Sequence, residues 1–159
     1  MGSSMQSHMS FLGLSKPNIE KMEENKDVEG LIKALTHGDS GIRGLAVLAL
    51  GRIGDPTAAG PIIQLLKDND YHVRWAAAWV VAGIAGIEAV GPLAQALRDK
   101  DETVRVQAAR GFGIMATRGL IIGDSRAIEV LTSATEDNSP HVRKAAQEAL
   151  EKVRLPPPP

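Results

Sequence analysis

The stretch Asp70-Tyr71-His72-Val73-Arg74-Trp75-Ala76-Ala77-Ala78 is one of four versions of the same phrase in this chain. An aliphatic residue followed by arginine stands at Ile42-Arg43, Val73-Arg74, Val104-Arg105 and Val142-Arg143. The arginines are separated by 31, 31 and 38 residues, so the last interval carries seven extra positions. Twelve residues before them come Leu31, Ile62, Leu93 and Leu131; eight before come Leu35, Leu66, Leu97 and Thr135; three after come Ala46, Ala77, Ala108 and Ala146. So many agreeing columns define an internal repeat, and a repeat of this length is the signature of a stacked architecture.

Apolar residues within each unit recur at three and four positions, which is helical spacing, and no stretch alternates as a strand would. Four residues before each arginine stand Asp39, Asp70, Asp101 and Ser139, whose side-chain oxygens suit the start of a helix. In the fourth unit Ser139 is followed by Pro140, and proline is favoured at the first helical position. Asp55-Pro56 and Asp124-Ser125 mark the starts of first helices in units two and four, with Ala85-Gly86 at the equivalent place in unit three. Each unit therefore reads as two helices. Two helices of this size cannot bury their own apolar faces, but four stacked pairs share a continuous core. The expected fold is an all-α superhelix, an α-solenoid, of four pairs plus a short N-terminal helix from about Pro17 to Glu24.

The expected organisation is an expression leader at 1–10, an N-terminal arm and capping helix at 11–27, a repeat domain at 28–154 and a proline-rich tail at 155–159. The repeat units are expected at 28–53, 56–84, 87–116 and 125–153. The extra residues fall at Thr117 to Gly123, where Leu120, Ile121 and Ile122 sit between glycines; they form either an extra turn packed under unit four or an exposed binding loop.

The chain has 159 residues, 43% of them hydrophobic, with a net charge of −1 and no cysteine. Its length fits one domain, and the charge balance removes the electrostatic basis of general nucleic-acid binding. Thiolate metal sites and cysteine nucleophiles are excluded. Without an export signal, a cytoplasmic location is the default expectation.

The phrases Val73-Arg74-x-x-Ala77-Ala78 and Leu50-Gly51-Arg52-Ile53-Gly54-Asp55-Pro56 resemble the HEAT-like repeats of the phycobilisome-lyase type, over about Val28 to Arg154. The resemblance implies that second helices line a concave face and first helices a convex one. It also implies a range of roles, among them bilin lyases, regulatory subunits, metal-dependent hydroxylases and base-modifying glycosylases. The hydroxylases carry His-Glu pairs, which this chain lacks. The glycosylases set Trp and Asp on a basic groove, whereas residues 28–117 hold as many acidic as basic side chains.

The columns Arg43, Arg74, Arg105 and Arg143, with Asp39, Asp70, Asp101 and Ser139, read as structural. Their recurrence predicts charge-assisted bonds from arginine to neighbouring Asp or carbonyl groups. His37, His72 and His141 are too widely spaced in the stack to share a metal ion. No nucleophile, phosphate-loop or zinc-protease motif is present, so no catalytic residue, metal or cofactor is expected.

At 100° per residue the positions one and five after each arginine turn away from the core. In unit two these are Trp75 and Trp79, the only tryptophans. Their neighbours in the same register are Leu45 and Leu48 in unit one and Val106, Arg110 and Ile114 in unit three. These seven form the expected partner-binding surface, with Arg52, Arg110, Lys144 and Lys152 steering acidic groups at its rim. The leading expectation is a non-catalytic scaffold that binds a protein partner or forms a homodimer. Stacking of the tryptophans on a planar molecule such as a tetrapyrrole is the alternative, and Phe11-Leu12-Gly13-Leu14 is a further candidate to cover the face.

Overall fold

The computed structural model describes residues 16–154. The leader, the Phe11-Leu12-Gly13-Leu14 segment and the proline-rich tail lie outside the described residues.

Nine α-helices follow one another among the described residues: α1 (Ile19–Glu24), α2 (Val28–Ala34), α3 (Ser40–Ile53), α4 (Ala59–Gln64), α5 (Tyr71–Ile84), α6 (Val90–Ala96), α7 (Glu102–Thr117), α8 (Ser125–Ala134) and α9 (Pro140–Arg154). Short 3-10 turns at Pro56–Ala58 and Ile87–Ala89 lead into α4 and α6. Pro61 and Pro92 explain them. Each sits at the third residue of its helix, where a missing amide donor does no harm, so the α-helix proper begins just before the proline.

The second helices α3, α5, α7 and α9 pack in series, each on the next, and α1 packs on α3 at one end of the row. The first helices α2, α4, α6 and α8 form the other layer, each against the second helix of its own unit. Positions one before, three after and seven after each arginine are buried in all four units, from Ile42, Ala46 and Leu50 to Val142, Ala146 and Leu150. The fold is a right-through stack of helix pairs with its core between the two layers.

A second column controls how closely neighbouring units approach. The residue eight after one arginine meets the residue six after the next. A β-carbon at Gly51 would lie 2.6 Å from Val80 Cγ2, one at Gly111 would lie 3.2 Å from the Ala82 β-carbon, and one at Gly113 would lie 3.7 Å from Ala149. Each pair contains one glycine, so a single side chain, Val80, Ala82 or Ala149, separates the helix backbones at each contact.

The first three second helices share one start geometry. Asp39, Asp70 and Asp101 accept the amide protons of Gly41, His72 and Thr103. Ser139 Oγ lies 3.4 Å from the amide of Val142.

The arginines join these starts into a ladder. Arg43 donates two hydrogen bonds to Asp68, at 2.8 and 2.7 Å. Arg74 does the same to Asp99, at 2.8 and 3.0 Å, and Arg105 to Asp137, at 2.9 and 3.1 Å. The remaining guanidinium nitrogen of each donates to carbonyls in its own inter-helix loop: His37 and Gly38, Asp68 and Asn69, Asp99 and Lys100. Each receiving aspartate also accepts a backbone amide two residues on, from Asp70, Asp101 and Ser139 in turn. One arginine therefore staples its own loop to the loop of the next unit. In unit one the aspartate column holds His37, whose Nδ1 accepts the Asp39 amide. At the other end Arg143 donates to the Asp137 and Asn138 carbonyls.

The seven extra residues do not disturb this register. Helix α7 ends in a Schellman motif, in which Leu120 and Gly119 donate to the Met115 and Ala116 carbonyls and Gly119 takes a positive φ of 75°. Ile121 is fully buried in the core, and the Gly123 amide donates to the Val153 carbonyl at 2.8 Å. The segment is packed structure joined to the end of α9.

Three measurements follow from this architecture. The side chains of Arg74 and Asp99 are 7% and 10% exposed, so Arg74→Ala strands a buried carboxylate and is expected to cost ~3–5 kcal/mol in denaturant unfolding. Arg143→Ala, which removes only bonds to carbonyls among the described residues, is expected to cost about 1–2 kcal/mol; equal losses would show that pairing between units is not what matters. Burial pushes the Asp68 and Asp137 carboxyls up, but hydrogen bonds donated to them by Arg43 and Arg105 and by the Asp70 and Ser139 amides hold both below the usual carboxylate range. A depressed folded value stabilises the fold above the unfolded pKa of ~3.9, and that stabilisation is lost as pH falls through the folded values. Thermal melts should therefore be level above about pH 5 and collapse below about pH 4. Finally, Gly51→Ala forces a methyl group into Val80 and is expected to cost ~1–3 kcal/mol, largely recovered by adding Val80→Ala. Gly113→Ala, with only ordinary contacts, is expected to be neutral or to stabilise by up to ~1 kcal/mol through helix propensity.

Candidate functional site

Helix α5 buries eight of its 14 residues, which leaves one stripe for other work. On α5 that stripe is Trp75 and Trp79, one turn apart, with ring centroids 5.7 Å apart and planes inclined by 48°. Trp79 is 50% exposed and Leu45 53%, high values for side chains of this size and kind. Arg110 is also exposed. Leu48, Trp75, Val106 and Ile114 are half-buried and rest against the core. The sequence register gives the direction of all seven side chains, but not how far their neighbours cover them.

Two adjoining hollows run along this stripe. One, of about 380 Å³, is lined by Gly44, Leu45, Leu48 and Trp75, with Asp70 and His72 at its edge. The other, of about 390 Å³, is lined by Leu48, Gly51, Trp79, Gly83 and Ile114, with Arg52 at its edge. Leu48 is the wall they share. Absent side chains help make both: a β-carbon at Gly44 or Gly83 would meet nothing within 4 Å, and these two glycines leave room that the indoles border. A third hollow, of about 660 Å³, lies between α1 and α3 and is lined by Ile19, Glu20, Glu23, Glu24, Leu45 and Arg52.

Arg52 departs from its expected role as a free cation at the rim. Its guanidinium grips both carboxylate oxygens of Glu23 on α1, and that hydrogen bonding holds the Glu23 carboxyl below its ordinary range. The partner lies outside the repeat, so no column could announce it. Lys144, Glu148 and Lys152 continue the stripe on α9 as a wholly polar surface, with Lys144 and Glu148 4.0 Å apart.

The histidines play local parts. His37 accepts an amide, and His72 Nδ1 lies 3.2 Å from the Asp70 carboxylate. Among the described residues no three His, Asp or Glu side chains are grouped as a metal site would need.

Sequence reasoning missed two contributors. Asp68, Asp99 and Asp137, the receiving ends of the ladder, form a column six residues before the arginines, and that column was the available signal. Arg118 donates to the Ala82 and Ala85 carbonyls at 2.9 and 2.6 Å, closing the end of the tryptophan-bearing helix from the neighbouring unit. It has no counterpart in the other repeats and so left no periodic trace. A further open hollow of about 600 Å³ lies between α4 and α6 on the other layer, with Arg74, Asp68 and Asp99 of the ladder among its lining.

A profile of HEAT repeats matches residues 28–113 and 90–158. The chain is a HEAT-repeat protein. Its solved structural neighbours include an engineered protein at 28% identity, with a TM-score of 0.62 over 85% of this chain and 65% of that one. They also include a designed armadillo repeat protein in complex with the peptide (KR)4, at 25% identity and a TM-score of 0.67 over 85% and 67% of the two chains. The HEAT-repeat protein covers only 41% of another engineered protein, at 28% identity and a TM-score of 0.62. It thus spans about two thirds or less of these three structures. No curated protein matches its sequence. Among the described residues no helix is long and apolar enough to cross a membrane.

Proposed function

We propose that this HEAT-repeat protein is a non-catalytic scaffold that mediates protein–protein interaction through the apolar stripe of its second helices. The observation that carries the reading is Trp79, half exposed on a surface that Leu48 and Trp75 connect to the half-exposed Leu45, where solubility alone would place polar side chains. Contiguous apolar surface of this kind marks interaction sites, and tryptophan is enriched among the residues that dominate binding energy. Leu45, Leu48, Trp75, Trp79, Val106 and Ile114 supply the apolar contact, and Arg110 supplies charge at its border. A designed armadillo repeat protein of similar fold was solved with a peptide bound, in keeping with a polypeptide as the occupant. A planar ligand, which the finer resemblance to phycobilisome-lyase repeats would suggest, finds no common plane on two indoles inclined by 48°.

The Trp75→Ala, Trp79→Ala double variant is expected to keep the helical circular dichroism of the parent while its association with protein partners, read by affinity capture and light scattering, is abolished. Association that survives both substitutions would place the binding surface elsewhere.

A further inference from the structure

The helices that bear this face stand in the order α1, α3, α5, α7, α9, and their character is balanced about the middle one. Helix α5 carries the two tryptophans. On one side α3 offers Leu45 and Leu48; on the other α7 offers Val106 and Ile114. At the α1 end, Glu20 and Glu24 are exposed and share a hollow with Leu45. Toward the α9 end, Arg110 and Lys152 are exposed at positions five and nine after their arginines, in register with Trp79 and Gly83. Glu23 is engaged by Arg52 and Lys144 faces Glu148. No ion pair among the described residues engages Glu20, Glu24, Arg110 or Lys152, so one end of the face keeps two negative charges and the other two positive ones.

We propose that the occupant of this face is a second copy of the chain, with its row of helices in the opposite order, related by a two-fold axis that lies between the two faces and runs parallel to α5. The proposal rests on the reading of the face as protein-binding and names its partner. A two-fold interface must be complementary to itself, and this order of surfaces meets that condition. Rotation about that axis lays the two copies of α5 against one another and sets α3 of each copy, with Leu45 and Leu48, opposite α7 of the other, with Val106 and Ile114. It also sets α1 of each copy, with Glu20 and Glu24, opposite α9 of the other, with Lys152 there and Arg110 one helix nearer the centre, twice over. A parallel arrangement would set carboxylate against carboxylate. Apolar burial at the centre supplies the affinity, and the charged ends fix direction and register.

The test uses the full chain and four exposed charges, whose substitution leaves the core untouched. Sedimentation equilibrium at low salt should show a dimer for the parent. Glu20→Lys with Glu24→Lys makes both ends basic, and Arg110→Glu with Lys152→Glu makes both ends acidic. Each variant alone should dimerise ~tenfold or more weakly, and their equimolar mixture should regain the parent's affinity, because basic ends then meet acidic ends at both sites. Trp75→Ala with Trp79→Ala should weaken the dimer by ~tenfold or more at any salt concentration. A mixture that associates no better than its separate components overturns the antiparallel arrangement. A parent chain that stays monomeric yet captures another protein through its tryptophans overturns this inference and leaves the proposed function standing. A dimer indifferent to both tryptophans overturns the two together. A monomer whose indoles become more quenchable when residues 1–15 are removed overturns it in favour of the chain's own Phe11–Leu14 segment.

Discussion

The bidentate pairing of arginine with the aspartate of the following unit organises the rest of the molecule. Arg43, Arg74 and Arg105 each reach across to Asp68, Asp99 and Asp137 while holding carbonyls of their own loops. A fork of donors that satisfies a carboxylate and loop carbonyls together fixes both distance and orientation. The aspartate is already committed to a backbone amide, so it presents a preset target. Burying such a pair contributes modestly to net stability but makes any other stacking costly, because misalignment would strand charge away from water. Unit follows unit in one register for that reason.

Close approach along the glycine and alanine column is the complementary constraint. With Gly51 against Val80, Ala82 against Gly111 and Gly113 against Ala149, neighbouring second helices touch almost backbone to backbone. Tight spacing consumes the sides of these helices as well as their inner faces. What is left to α5 is a narrow outward strip holding Trp75 and Trp79, and other glycines, Gly44 and Gly83, leave open space in the hollows beside them.

The repeat made the helix pairs and the all-α fold legible, because core positions recur in a fixed phase and periodicity is what a sequence displays best. The direction of the tryptophans could be read for the same reason. Their depth could not: Trp75 rests half-covered against the core, and cover depends on how far apart two helices settle. The arginine partners were legible as a type, Asp or carbonyl, but the particular carboxylates at 68, 99 and 137 were overshadowed by the capping aspartates two positions later. Arg52 was read as a rim cation without its partner, and Arg118 escaped altogether. Each bonds to a group at an irregular sequence distance, Glu23 in one case and the Ala82 and Ala85 carbonyls in the other, and a search tuned to recurrence is blind to contacts that occur once.

The segment between α7 and α8 shows what the ladder leaves open. Arg105 finds Asp137 across seven more residues than separate the other pairs, with distances hardly changed. The coupling measures through space and ignores contour length, provided that the detour can bury an anchor such as Ile121 and turn twice at glycine. Joints between repeats in this scaffold are accordingly places where new chain can be spliced in, lengthening the perimeter of the molecule while its internal pitch is preserved.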